Sequence, residues 1–128
     1  MILVDNALAK RHAENNPVRV AMVGAGFMGR GIALQICKFV QGMELVAIAN
    51  RKIEKAKQAY TEADVIGVQE VSSVAQLEDN IRQGKYSITD DAMLLCEAEG
   101  IDAIIEVTGA VEFGTNVALR AIENRKHV

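Results

Sequence analysis

The spacing of apolar positions changes several times along the chain, and each change marks an element. Residues 2–13 carry a loose helical pattern that Asn15-Asn16-Pro17 breaks, because Pro17 disfavours a helical residue before it. Val18 to Val23 (VRVAMV) is a short β-rich run ending in a glycine cluster, and it reads as a strand buried on both faces. From Phe27 to Gln41 the period becomes helical. Met28, Ile32, Ala33, Ile36, Phe39 and Val40 share one side, and Arg30, Gln35, Lys38 and Gln41 the other. Gly42 stops this helix. Glu44 to Ala49 (ELVAIA) is a second strand-like run, and residues 52–62 form a helix with a charged, solvated face.

The second half repeats the alternation. Residues 73–84 read as a helix ending at Gly84, and Tyr86 to Thr89 as a short third strand. Thr89 or Asp90 is expected to cap a helix running to about Glu99, with Gly100 as its stop. Ile101 to Val107 is the clearest strand after the first. A helix over about 112–124 follows, and Lys126-His127-Val128 reads as the opening of a further strand. Strands alternating with helices predict an α/β fold with a parallel sheet covered on both faces. Right-handed crossovers give the strand order 3-2-1-4-5, a Rossmann-type doubly wound sheet. The expected organisation is one domain over 1–128, with 1–17 a leading helix and linker. A strand cut at its third residue is a poor natural ending, so a substrate and catalytic domain is expected beyond residue 128.

This order gives the turn Gly24-Ala25-Gly26-Phe27-Met28-Gly29 its meaning. A G-x-G-x-x-G run that leaves a strand and opens a helix is the dinucleotide-binding pattern. Gly24 permits the tight turn, a side chain at Gly26 would collide with a pyrophosphate, and Gly29 lets helix and strand pack closely. The free N–H groups near Phe27 and Met28 would face the phosphates, aided by the helix dipole. The end of the second strand normally supplies an acid for the ribose 2′-hydroxyl, but position 50 is Asn50, followed by Arg51 and Lys52. An amide donor and a guanidinium suit a 2′-phosphate, which favours NADP(H) as cofactor, with NAD(H) the alternative. Thr108-Gly109, ending the strand expected beside the first, is placed against the nicotinamide half of the cofactor. Glu106 reads as a buried, hydrogen-bonded structural carboxylate in preference to a group facing a substrate.

Composition narrows the partners. The net charge is −3 and the pI near 5.4, without the clustered positive charge that nucleic acid or an anionic membrane requires. Cys37 and Cys96 lie in helix-like apolar patterns with no Cys or His at metal-ligand spacing, so they read as buried structural thiols in a reducing compartment, and no metal site is expected. With no signal peptide and no membrane-length apolar run, a cytoplasmic location is the default.

The segments VRVAMVGAGFMGRGIALQI (18–36), ELVAIANRK (44–52), SITDD (87–91), IDAIIEVTGAVEFG (101–114) and ALRAIENRKHV (118–128) together resemble the NAD(P)-binding domain of the homoserine-dehydrogenase-like oxidoreductases. The resemblance is strongest to the subgroup with a C-terminal SAF domain, which includes enzymes like 1-deoxy-D-xylulose 5-phosphate reductoisomerase. It implies hydride transfer between NADP(H) and a small carbonyl or alcohol substrate, and in the reductoisomerase-like members a sugar-phosphate rearrangement. It assigns Gly24, Gly26, Phe27, Met28 and Gly29 to the pyrophosphate, Asn50 and Arg51 to the adenosine ribose, and Thr108 and Gly109 to the nicotinamide side. No catalytic residue carries over, and a homo-oligomer is compatible with the chain but not required by it. Two other readings remain open on the residues alone. One is a dinucleotide-sensing regulatory module without catalysis, which shares the fold. The other is an S-adenosylmethionine-dependent methyltransferase, against which both Asn50 and the pyrophosphate-suited Gly26 speak.

Overall fold

A computed structural model describes residues 2–128. Its centre is two parallel strands, β1 (Val18–Val23) and β2 (Met43–Ala49). Their apolar side chains point alternately to the two faces of the sheet, and both faces are covered. Val20 and Met22 belong to one core cluster, Ala21 and Val23 to the other. Met22, Leu45 and Ile48 are essentially inaccessible, and each stabilises the fold by about 1.5–3 kcal/mol through removal from water.

β4 (Ser87–Thr89) pairs with the outer side of β2, and β5 (Ala103–Glu106) with the outer side of β1. A two-residue strand, β3 (Gln69–Glu70), adds to the far edge, giving the order β3-β4-β2-β1-β5, all parallel. The expected order is therefore present, with one edge strand the hydropathy pattern does not announce. Gln69 and Glu70 are both exposed and pair through the main chain alone, so no apolar alternation marks them. On the other edge His127 makes a parallel bridge to Ala103, where the pattern places the start of a further strand.

Helices α2 (Phe27–Lys38) and α3 (Ile53–Glu62) bury Ala33, Ile36, Ala56, Ala59 and Tyr60 against one face. The Tyr60 hydroxyl donates to the Leu45 carbonyl at 2.8 Å, which satisfies the one polar atom of a fully buried ring. Helices α4 (Val74–Arg82), α5 (Ala92–Glu97) and α6 (Val111–Glu123) cover the opposite face with Leu77, Leu95, Cys96, Val117 and Ala121. The leading helix α1 (Ile2–Ala13) buries none of its residues.

Several boundaries differ from the sequence reading. α2 ends at Lys38, and its buried stripe is Gly29, Ala33 and Ile36. Met28 and Phe39, placed on that stripe by periodicity, are exposed. Met28 stands in the first turn above the strand ends, and Phe39 has already left helical geometry. The cap of α5 is Asp91, whose carboxylate accepts from Met93 N; Thr89 Oγ1 instead accepts from Asp91 N, one step earlier in the turn. α5 is correspondingly shorter than expected, ending at Glu97. Cys96 is buried, but Cys37 is only partly so. Burial raises both thiols above their usual range.

Candidate cofactor-binding site

Because all strands run parallel, their carboxyl ends share one edge, and the turns that follow β1, β2, β4 and β5 meet there. They enclose a cleft of about 640 Å³ at the point where the chain reverses its winding direction.

The turn after β1 is held from both sides. Gly24 N donates to Ala49 O at 2.8 Å, and Val107 N donates to Val23 O at 2.9 Å. Gly24 has φ +109°, and a Cβ there would also lie 3.1 Å from the Val107 carbonyl, so the position requires glycine twice over. Gly29 is confined by packing: its Cβ would sit 2.8 Å from Gly24 O and 3.4 Å from a Val107 methyl. Gly26 is the opposite case. It is the N-cap of α2, and a Cβ there would meet nothing within 4 Å. The protein's own packing does not demand glycine at this position. The opening lies directly before the first turn of a helix with no side-chain cap, so the N–H groups of Phe27 and Met28 are left for an external acceptor. That opening is what a pyrophosphate requires, and the residues present fit a dinucleotide.

Asn50 ties the first two turns together. Its Oδ1 accepts from Ala25 N at 3.1 Å and its Nδ2 donates to Lys52 O at 2.8 Å, so its partners fix the orientation of the amide and leave one amide hydrogen over. Arg51, Lys52 and Lys55 line the cleft on this side, and Asp90 and Asp91 line it from the end of β4. The cleft therefore has a basic wall and an acidic wall. Beyond the end of β5, Val107, Thr108 and Ala110 line the remaining side, together with Phe113 from α6.

Of the residues singled out in the sequence, Gly24, Ala25, Gly26, Asn50, Arg51 and Thr108 come together around the cleft. Gly29 is buried beneath it. Phe27 and Met28 are exposed (86% and 66%) and stand outside the lining, with their backbone N–H groups in the uncapped first turn of α2. Gly109 stands just outside the lining, at φ +71°. The sequence reading missed Lys55, Asp90, Asp91 and Phe113. Lys55 carried a usable signal, since it stands one helical turn beyond Arg51 and Lys52. Asp90-Asp91 carried another, being the pair just past a strand in a fold that binds ligands beyond strand ends. Glu106 is hydrogen-bonded to Thr108 as expected, but it is only half-buried rather than buried, and it does not line the cleft.

Among the described residues, no group of three or more His, Cys, Asp or Glu could hold a metal ion, and no helix is long and apolar enough to cross a membrane. In sequence the chain is 27% identical over 112 residues to the homoserine dehydrogenase of Methylobacillus glycogenes, covering 88% of this chain and 24% of that protein. In structure it resembles two Lactobacillus casei enzymes. One is scyllo-inositol dehydrogenase with bound NAD(H) and scyllo-inositol (TM-score 0.64, 20% identity, 88% of this chain and 27% of that one). The other is myo-inositol dehydrogenase in complex with NAD(H) and myo-inositol (TM-score 0.63, 23% identity, 86% and 26%). At these identities the structural likeness speaks for the fold. The chain spans about a quarter of the length of each relative. Residues 18–128 match the Gfo/Idh/MocA oxidoreductase family with its NAD-binding Rossmann fold, and the chain belongs to that family.

Proposed function

We propose that this chain is the cofactor-binding domain of an NADP(H)-dependent oxidoreductase acting on a small carbonyl or alcohol substrate. The observation that carries the reading is the cleft itself: an open position at Gly26 before an uncapped helix, with Arg51, Lys52 and Lys55 beyond β2 where a 2′-phosphate would sit. Bound there, the cofactor supplies the hydride. The chain's own residues would hold it: Gly24, Ala25, Gly26, Phe27, Met28 and Gly29 form the pyrophosphate turn, Asn50 and Arg51 the ribose side, and Thr108 and Gly109 the nicotinamide side. The carboxamide of Asn50 at the end of β2 removes the negative charge that would repel a 2′-phosphate.

Substrate recognition and proton transfer are proposed to come from chain outside residues 1–128, in keeping with relatives of which this chain covers about a quarter. The proposed substrate is of the homoserine-dehydrogenase-like class or the sugar-phosphate, reductoisomerase-like class with a SAF domain, a reading supported by the resemblance of the VTGAVEFG segment and the closing KHV. The L. casei neighbours, with NAD(H) and inositols, extend the range of alcohols to be tried. Calorimetric titration of the chain with NADPH and with NADH tests the cofactor assignment. Tighter binding of NADPH is expected; equal or tighter binding of NADH overturns it.

A further inference from the structure

The wall of the cleft at the end of β5 is held by a carboxylate that does not itself line the cleft. Glu106, the last residue of β5, accepts at Oε1 from Thr108 N (2.8 Å) and from the Thr108 hydroxyl. Thr108 Oγ1 in turn accepts from Ala110 N at 3.2 Å, the N-cap of α6. The single loop from Thr108 to Ala110 is thus tied to one side chain, directly at Thr108 and through its hydroxyl at Ala110. Gly114 packs on the same carboxylate from α6, and a Cβ there would lie 2.7 Å from Glu106 Oε2. The Thr108–Ala110 loop, with Gly109 at φ +71°, is held between a strand end and a helix start.

The network also decides the chemistry Thr108 can offer. The Thr108 hydroxyl donates to Glu106 Oε1, so its one hydrogen is committed there. One oxygen lone pair takes Ala110 N–H. What remains on this cleft-lining residue is a single acceptor.

We infer that Glu106 is a positioning residue, which with Gly114 fixes the Thr108–Ala110 wall and presents the Thr108 oxygen as an acceptor to a donor group on the nicotinamide half of the cofactor. This rests on the proposed cofactor reading and adds to it a residue outside the lining. A carboxylate placed to organise the wall, and only the wall, should affect one half of a dinucleotide and spare the other.

The test titrates the chain with NADPH and, in parallel, with adenosine 2′,5′-bisphosphate, which carries the adenine half alone. Glu106→Ala is expected to weaken NADPH roughly ten-fold or more, as loss of charge-assisted hydrogen bonds does, and to leave the bisphosphate unchanged. Thr108→Val should reproduce the effect, Thr108→Ser should restore full affinity, and Glu106→Ala with Thr108→Val should be no worse than either alone. Equal losses on both probes, or additive losses in the double variant, overturn the inference while leaving the cofactor reading standing. An unsubstituted chain that binds neither NADPH nor NADH overturns both. Should Glu106→Ala fail to fold, Gly114→Ala, whose Cβ would displace the Glu106 carboxylate, takes its place: weaker NADPH with the bisphosphate spared is expected, and unchanged NADPH affinity overturns the inference.

Discussion

Gly29 and Gly26 share one turn but differ in what surrounds them, and the two make opposite predictions. Gly29→Ala forces a Cβ against Gly24 O, so helix and turn must separate. A loss of about 1–3 kcal/mol is expected in urea unfolding, typical of overpacking in a tight site. Gly26→Ala meets open space, and its cost to stability is expected to stay below about 1 kcal/mol, the range of N-cap exchanges. Cofactor affinity should nevertheless fall sharply, because the added methyl occupies the phosphate's opening. A Gly26→Ala variant that binds NADPH like the unsubstituted chain would place the phosphates elsewhere. Arg51 supplies the complementary test on the ribose side. Arg51→Asp should weaken NADPH roughly ten-fold or more relative to NADH, since a charge-assisted bond is replaced by repulsion. Equal losses on the two cofactors, measured by calorimetry, would remove Arg51 from the 2′-phosphate site.

Among the elements, α5 and β3 owe their existence to different forces. α5 is too short to be stable by propensity, and it rests on its buried apolar side chains and on the Asp91 cap. Asp91→Ala is expected to cost about 1 kcal/mol, read as a lower urea midpoint. Asp91 also lines the cleft, so the same variant reports whether the acidic wall contributes to cofactor affinity. β3 has no buried side chain at all and exists because β4 offers it an edge. α1 likewise buries no residue and precedes the matched family segment, so the cofactor site does not rest on it.

For the whole molecule, the two faces of the sheet set the response to alkali. Tyr60 is fully buried, and burial holds its hydroxyl well above the usual value near 10, with neighbouring groups adding to the effect. The folded state keeps this proton where the unfolded chain sheds it. Stability from Tyr60 is therefore complete below about pH 10 and lost as pH rises beyond that. Cys37 and Cys96, raised by burial, act in the same direction from about pH 9. Lys126 acts in the opposite direction. Its ammonium donates to Ala98 O and Ile101 O, but burial lowers its pKa, so removing its proton favours the fold as pH approaches 10.5. The acids outnumber it, and net destabilisation above about pH 10 is expected from urea midpoints. Tyrosinate absorbance of Tyr60 should appear only together with unfolding. Tyr60→Phe should cost about 1 kcal/mol at neutral pH and flatten the alkaline fall. An unchanged slope would show that Tyr60 is not its source.

The sequence by itself determined the alternation of strands and helices, the parallel order of the sheet, the glycine turn, and the residues at the ends of β1, β2 and β5. Period and turn chemistry are local signals that act over a few residues at a time, and the handedness of a strand–helix–strand crossover is a general rule that needs no knowledge of side-chain contacts. It overreached where a helical stripe continues past the sheet it packs on, as at Met28 and Phe39. The tertiary structure alone decided which side chains meet across the turns. Asn50 reaches Ala25, 25 residues away, only because β1 and β2 are neighbours. Lys55 and Asp90 face one cleft because α3 begins, and β4 ends, at the same edge of the sheet. Glu106 looked like a structural carboxylate in the sequence, and the fold gave it its object. Because β5 ends beside β1 and α6 closes on it at Gly114, that carboxylate holds the loop facing the glycine turn.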